Sequence, residues 1–226
     1  MTDKFRTLIH TKNMQRLFAL CGIIAPIIFW LMVIVESILR PGYSPTSNFI
    51  SDLGVGPNSI IQNVNFVVFG LLSIGLALGL QVGLPTPRTP SLKAGIWFVV
   101  IFGLGVLLAG VFPEDYGSGT LHSLVSATAF VAIIAAQLLI WQGLKSGDRA
   151  TWGRYRTYSL LSGLLSIILV ILLKVAMLSY IDYQGAAQRA FLLVPWIWIY
   201  ITGLQLYSVI KRSETEKGPQ ATVSKQ

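Results

Sequence analysis

Six stretches of the chain are apolar almost without interruption, and its polar residues collect between them. The stretches are Leu17–Ile38, Ile61–Leu84, Ala94–Phe112, Leu121–Ile140, Tyr158–Leu178 and Ala190–Ile210. A hydrocarbon layer about 30 Å thick takes roughly 20 apolar helical residues to cross, so each stretch predicts a membrane-spanning helix. The first is too long for the core of a signal peptide and has no small-residue cleavage site after it, so it stays as a helix. No intervening segment is long enough for a soluble domain. The expected fold is an all-α integral membrane protein, a compact bundle of six transmembrane helices over residues 17–210. A basic juxtamembrane segment at 1–16 precedes it, and a polar tail at 211–226, of disordered composition, follows it.

The polar residues between the spans give the orientation. Fourteen of the 17 Lys and Arg fall in the N-terminal segment, in the loops around residues 88 and 149, and in the tail. The other loops hold only Arg40 and Arg189, and Lys174 lies within a span. The positive-inside rule then puts both termini in the cytoplasm. The destination this implies is the plasma membrane, with multiple passes. The net charge of +8 therefore reflects topology and attraction to anionic lipid. It does not indicate nucleic acid, because no basic stripe is interleaved with aromatics. Charged residues make up 12% of the chain, against roughly 25% in soluble domains.

Within the spans, Pro26 and Pro195 are expected to kink their helices. Gly75 and Gly79 are spaced for close helix packing, inside the bundle or in a homo-oligomer. Trp30, Trp97, Trp141, Trp152, Trp196 and Trp198 read as an aromatic belt near helix ends. The lone Cys21 is a small hydrophobe in the first span and says nothing of redox compartment. Tyr43, Tyr116 and Tyr183 recur about 70 residues apart in the outward loops, as three related helical hairpins would place them.

Candidate chemistry lies on the outward side. In the first loop, Thr46 is placed to cap a short helix ending at Gly54. Phe49, Ile50 and Leu53 share one face, suited to lying on the membrane or to roofing a polar site, and Ser47, Ser51 and Asp52 follow the same turns. The middle loop sets Glu114 and Asp115 before a glycine turn, and His122 opens the next helix. Nearby carboxylates favour an imidazole's charged form, and imidazole trades protons near neutral pH. Asp182, Gln188 and Arg189 complete the set, Arg189 having the fork to clamp a phosphate or carboxylate. Glu36 and Lys174 are charges within spans, near their outer ends. Charges in that setting cost insertion energy unless they pair or reach the interface, and a Glu36 pair with Lys174 or Arg189 is the expected relief.

The run Arg40-Pro41-Gly42-Tyr43, followed by Ile50-Ser51-Asp52-Leu53-Gly54, Gly110-Val111-Phe112-Pro113-Glu114-Asp115 and Thr120-Leu121-His122, resembles the membrane family catalogued as domain of unknown function 998. The resemblance runs from about Leu17 to Ile210. It implies a six-helix integral membrane protein of prokaryotic type. It brings no activity and no catalytic residues.

Four functions fit these residues. The first is a receptor site for a lipid headgroup or small molecule, lined by Arg40, Tyr43, Ser47, Ser51, Asp52, Glu114, Asp115, His122, Asp182 and Arg189. The second is an enzyme on a lipid or envelope substrate, with His122 as base, Asp115 as its orienter and Ser47 or Ser51 as nucleophile. One histidine on this side, against about three nitrogen ligands needed, counts heavily against a zinc hydrolase. A hard cation on Glu114, Asp115 and Asp182 remains open, although no metal or cofactor is required. The third is a small transporter, which needs a midplane site at broken helices. The fourth is an assembly subunit. The receptor and enzyme readings require the first two outward loops to converge in space; the subunit reading does not.

Overall fold

The computed structural model describes residues 11–179 and 182–215, and the described residues form six long helices with no strand. They are α1 (Lys12–Leu39), α2 (Ser59–Gly83), α3 (Pro90–Val111), α4 (Thr120–Gly143), α5 (Arg149–Leu178) and α6 (Gln184–Thr215). All six are long and apolar enough to cross a membrane. Local chemistry sets several of their starts. Thr89 caps α3 by accepting from the Leu92 amide at 3.2 Å, with Pro90 in the first turn. Asp148 caps α5 through the amides of Ala150 (3.2 Å) and Thr151 (3.0 Å). The Thr151 hydroxyl, together with those two amide bonds, holds the Asp148 carboxyl below its ordinary range. Residues 1–10, most of the juxtamembrane segment, lie outside the described residues. The last helix runs on to Thr215, into the segment read as tail, and residues 216–226 lie outside the described residues.

Each helix packs on its sequence neighbours, and α1 packs on α6 to close a six-helix ring. Close approach depends on glycine where backbones meet. A Cβ on Gly70 of α2 would lie 2.5 Å from the carbonyl oxygen of Gly103 on α3, and one on Gly203 of α6 2.7 Å from that of Ala19 on α1. Gly75 and Gly79 face Cys21 and Phe18 of α1, so that pair packs α2 inside the bundle. At the end bearing the termini, Arg16 ion-pairs with Glu214, and Lys12 donates to Ser213 at 2.5 Å.

The core departs from the aromatic-belt reading. Trp196 and Trp198 are 2% and 0% exposed. Trp196 stacks on Phe69 with ring centroids 4.6 Å apart and planes 8° from parallel, and Phe29 and Phe102 meet it edge-on. Only Trp97 is largely exposed. Hydropathy cannot separate a lipid-facing indole from a buried one, because both surroundings are apolar. Buried neutral polar groups pair in the half of the bundle nearer the termini. Trp198 donates to Ser159 at 3.0 Å, Gln137 to Ser162 at 2.9 Å, and the hydroxyls of Tyr155 and Thr202 are 2.7 Å apart.

Candidate functional site: a roofed cavity

At the end of the ring away from the termini, the segment between α1 and α2 folds over the helix ends. Asp52 turns it, accepting from the Phe49 amide at 3.0 Å and from the Asn48 side chain at 3.2 Å. Ile50 and Leu53 are thereby driven fully into the core. The expected membrane-lying helix is thus corrected. Only Ser51–Gly54 is helical, as a single 3-10 turn, and its apolar side faces inward. Thr46 caps nothing in its own segment; its carbonyl takes the Ala186 amide of α6 at 2.8 Å.

The start of α6 fastens this roof. Gln188 accepts from the Ile50 amide at 2.6 Å. Arg189 donates to the carbonyls of Asn48 (2.8 Å) and Gly185 (3.0 Å) and to the Tyr43 hydroxyl, and its guanidinium lies 5.5 Å over the Tyr43 ring. Tyr43 in turn donates to the Phe49 carbonyl at 2.8 Å, and burial pushes its hydroxyl pKa up. Ser47 donates to the Asp182 carbonyl at 3.2 Å. A Cβ on Gly185 would fall 2.2 Å from the Asn48 carbonyl oxygen, so α6 and the roof touch backbone to backbone. Arg40 is held by the carbonyls of Val55 and Pro57. Arg40, Tyr43, Ser47 and Arg189 therefore serve as fasteners of the roof, and the Arg189 fork expected to clamp an anion is engaged with it.

Beneath the roof is a cavity of about 300 Å³, bounded by Phe49, Ile50 and Ser51 above and by α4, α5 and α6 at the sides, with Trp196 among its walls. Its polar groups are Ser51, Glu114, His122, Ser123, Ser126, Lys174 and Gln188. The first two loops converge here. His122 is 6% exposed. Its Nδ1 lies 2.9 Å from the Phe112 carbonyl and 3.2 Å from the Ala109 carbonyl. Both are acceptors, so Nδ1 carries the hydrogen, and Nε2 faces the Glu114 carboxylate at 3.8 Å. Burial pushes the Glu114 carboxyl pKa up. A hydrogen bond from Ser51 opposes that, Asp52 nearby reinforces it, and the His122 charge opposes it again.

Adjacent residues take opposite roles. Glu114, rather than Asp115, is the carboxylate brought to His122, because Pro113 and the turn to Tyr116 leave Asp115 exposed. The backbone carbonyls, rather than Asp115, orient the imidazole. Asp182 is likewise exposed. Among the described residues no three His, Cys, Asp or Glu side chains meet as a metal site requires, so Glu114, Asp115 and Asp182 do not form an oxygen cage. Glu36 is 1% exposed and forms no ion pair among the described residues, so the expected pair with Lys174 or Arg189 is absent. The three tyrosines are not equivalent: Tyr43 is half-buried, while Tyr116 and Tyr183 are 56% and 63% exposed. Ser123 and Ser126 were missed from sequence, although Ser126 follows His122 by four residues and so shares its helix face.

A family model described as Protein of unknown function (DUF998) matches residues 23–205. No curated protein and no solved structure matches the chain.

Proposed function

The chain belongs to the DUF998 family, and from that premise we propose that it is a receptor-type membrane protein whose roofed cavity binds a lipid headgroup or small molecule. In this reading it is a multi-pass protein of the cell membrane with both termini cytoplasmic, supported by the sorting of Lys and Arg along the chain. The cavity then faces outward. The observation that carries the reading is the convergence of Ser51, Glu114, His122 and Gln188, from two loops and two helix starts, on one largely apolar cavity. An assembly subunit has no need of such a space.

The test is native mass spectrometry of the protein purified from membranes in mild detergent. Wild type is compared with Ser126→Phe, which fills the cavity without touching the roof fasteners. A discrete bound molecule in wild type, lost in the variant, is expected. Nothing bound in either, or equal binding in both, overturns the reading.

A second reading is favoured by the 3.8 Å approach of His122 Nε2 to Glu114. The two form an acid–base pair inside the cavity, available for proton transfer to a bound substrate. Turnover of the co-purified molecule, abolished by Glu114→Gln with binding retained, would distinguish enzyme from receptor.

A further inference from the structure

The cavity has a roof but an incomplete side wall. Its roof is fixed by the Gln188, Arg189, Thr46 and Gly185 contacts, which leave the segment over the cavity little freedom to lift. At the side, the inner halves of α4 and α5 are joined: Gln137 bonds Ser162, Gly163 packs on Leu138, and Arg156 donates to the Trp141 carbonyl at 3.1 Å. Among the described residues, their outer halves are not joined in this way. Both line the cavity, and several of the lining residues are exposed on the flank of the bundle, among them Ala127 and Val131 of α4 and Lys174 and Met177 of α5. The opening therefore gives onto the layer that the six apolar helices imply.

Lys174 stands at this opening. It is the one Lys or Arg among the described residues lining the cavity, and it makes no hydrogen bond or ion pair among the described residues. It lies four residues before the end of α5 at Leu178, which is about 6 Å along the helix. A lysine at that depth extends its stem along apolar surface and brings its ammonium to the level of lipid phosphates. Below it the gap is walled by Phe130, Val131, Val170 and Leu173, which match an acyl chain. Beyond it lie Ser51, Glu114, His122 and Gln188, which match a polar headgroup.

We infer that the cavity takes a membrane phospholipid sideways through the gap between α4 and α5, with the lipid phosphate on Lys174, a chain between the two helices and the headgroup under the roof. This rests on the ligand-site reading above and narrows it to one class of ligand and one route of entry. The charge complementarity is local: one lysine stands at the mouth, and deeper in there is no Lys or Arg among the described lining residues, only His122 facing Glu114. A soluble anion would have to pass the fastened roof, and it would leave the apolar gap unfilled.

The experiment uses the full chain in phosphatidylcholine vesicles doped with a phosphatidylglycerol whose acyl chain carries a diazirine. Diacylglycerol with the same chain serves as the phosphate-free control. After illumination, labelled residues are mapped by peptide mass spectrometry. Phosphatidylglycerol is expected to label the outer halves of α4 and α5 in wild type and in Lys174→Arg. In Lys174→Gln that labelling should fall about tenfold, as the loss of one charge-assisted hydrogen bond implies, while the diacylglycerol signal stays as it was. Ala127→Trp, which keeps the lysine and blocks the gap, should abolish labelling by both lipids. Equal labelling by the two lipids, unmoved by Lys174→Gln, overturns the phosphate site. Labelling elsewhere on the bundle, with a molecule still bound in the cavity by native mass spectrometry, overturns lateral entry and leaves the ligand-site reading standing. An empty cavity overturns both.

Discussion

Gln188, near the start of the last helix, accepts a 2.6 Å hydrogen bond from the backbone amide of Ile50 in the first loop. Both residues are buried, so the bond is made away from water and its loss leaves an amide with no substitute acceptor. Gln188→Leu is expected to cost about 1–3 kcal/mol. The measurements are the melting temperature in detergent and hydrogen exchange at Ile50. Exchange unchanged at that amide would mean that the roof is held by the other contacts alone.

Two glycine substitutions should have opposite signs. A methyl on Gly185 meets the Asn48 carbonyl at 2.2 Å, a backbone atom that cannot swing aside, and overpacking of this kind costs about 1–3 kcal/mol. A methyl on Gly153 meets only the Arg149 side chain at 3.2 Å. There the helix-interior preference for alanine should win by about 0.5–1 kcal/mol. Thermal melts of Gly185→Ala and Gly153→Ala provide the comparison, and a stabilised Gly185→Ala would contradict the backbone contact between α6 and the roof.

The pH dependence of stability should carry the mark of Glu114. Its pKa is raised in the folded protein, chiefly by burial, so the folded state keeps this proton to higher pH than the unfolded chain does. The penalty is absent below the unfolded value near 4.3 and develops as pH rises through the folded one. Glu114→Gln removes it. The variant should therefore melt higher than wild type at pH 8, with the gain vanishing toward pH 4. A difference independent of pH would assign the effect to packing.

Reporter fusions at Pro87 and Gly147 should read as cytoplasmic, and one at Tyr116 as external. The first two positions flank α3 and α4 on the end that carries the basic residues, and the third lies in the loop that carries Glu114. An external reading at either basic loop would reverse the orientation and turn the cavity toward the cytoplasm.

The spans were legible in the sequence because uninterrupted apolar runs have few other uses. Their ends were less so. Helix α5 starts at Arg149 rather than Tyr158, since its first turns are basic and polar and are held by the Asp148 cap instead of by hydropathy. The residues of the first two loops made their convergence a condition of the receptor and enzyme readings, and only the fold brings those loops together. The role of each residue was not legible in the sequence. Glu114 and Asp115 are chemically alike, and only the turn after Pro113 separates them. Arg189 has the chemistry of an anion clamp, but its position beside Asn48 and Tyr43 makes it a fastener. Trp196 looked interfacial and is core. In each case the deciding fact is a neighbour distant in sequence.

The ring has one more consequence. Its first and last helices are neighbours, joined by Arg16 and Glu214, so the polypeptide traces a nearly closed circuit. Joining its ends and cutting between α2 and α3 would keep every helix beside the same partners and both new ends on the same face. Circular permutation at that loop should give the same protein. Such a permutant would make the order of helices around the circuit, rather than the place of the chain break, the specification of the structure.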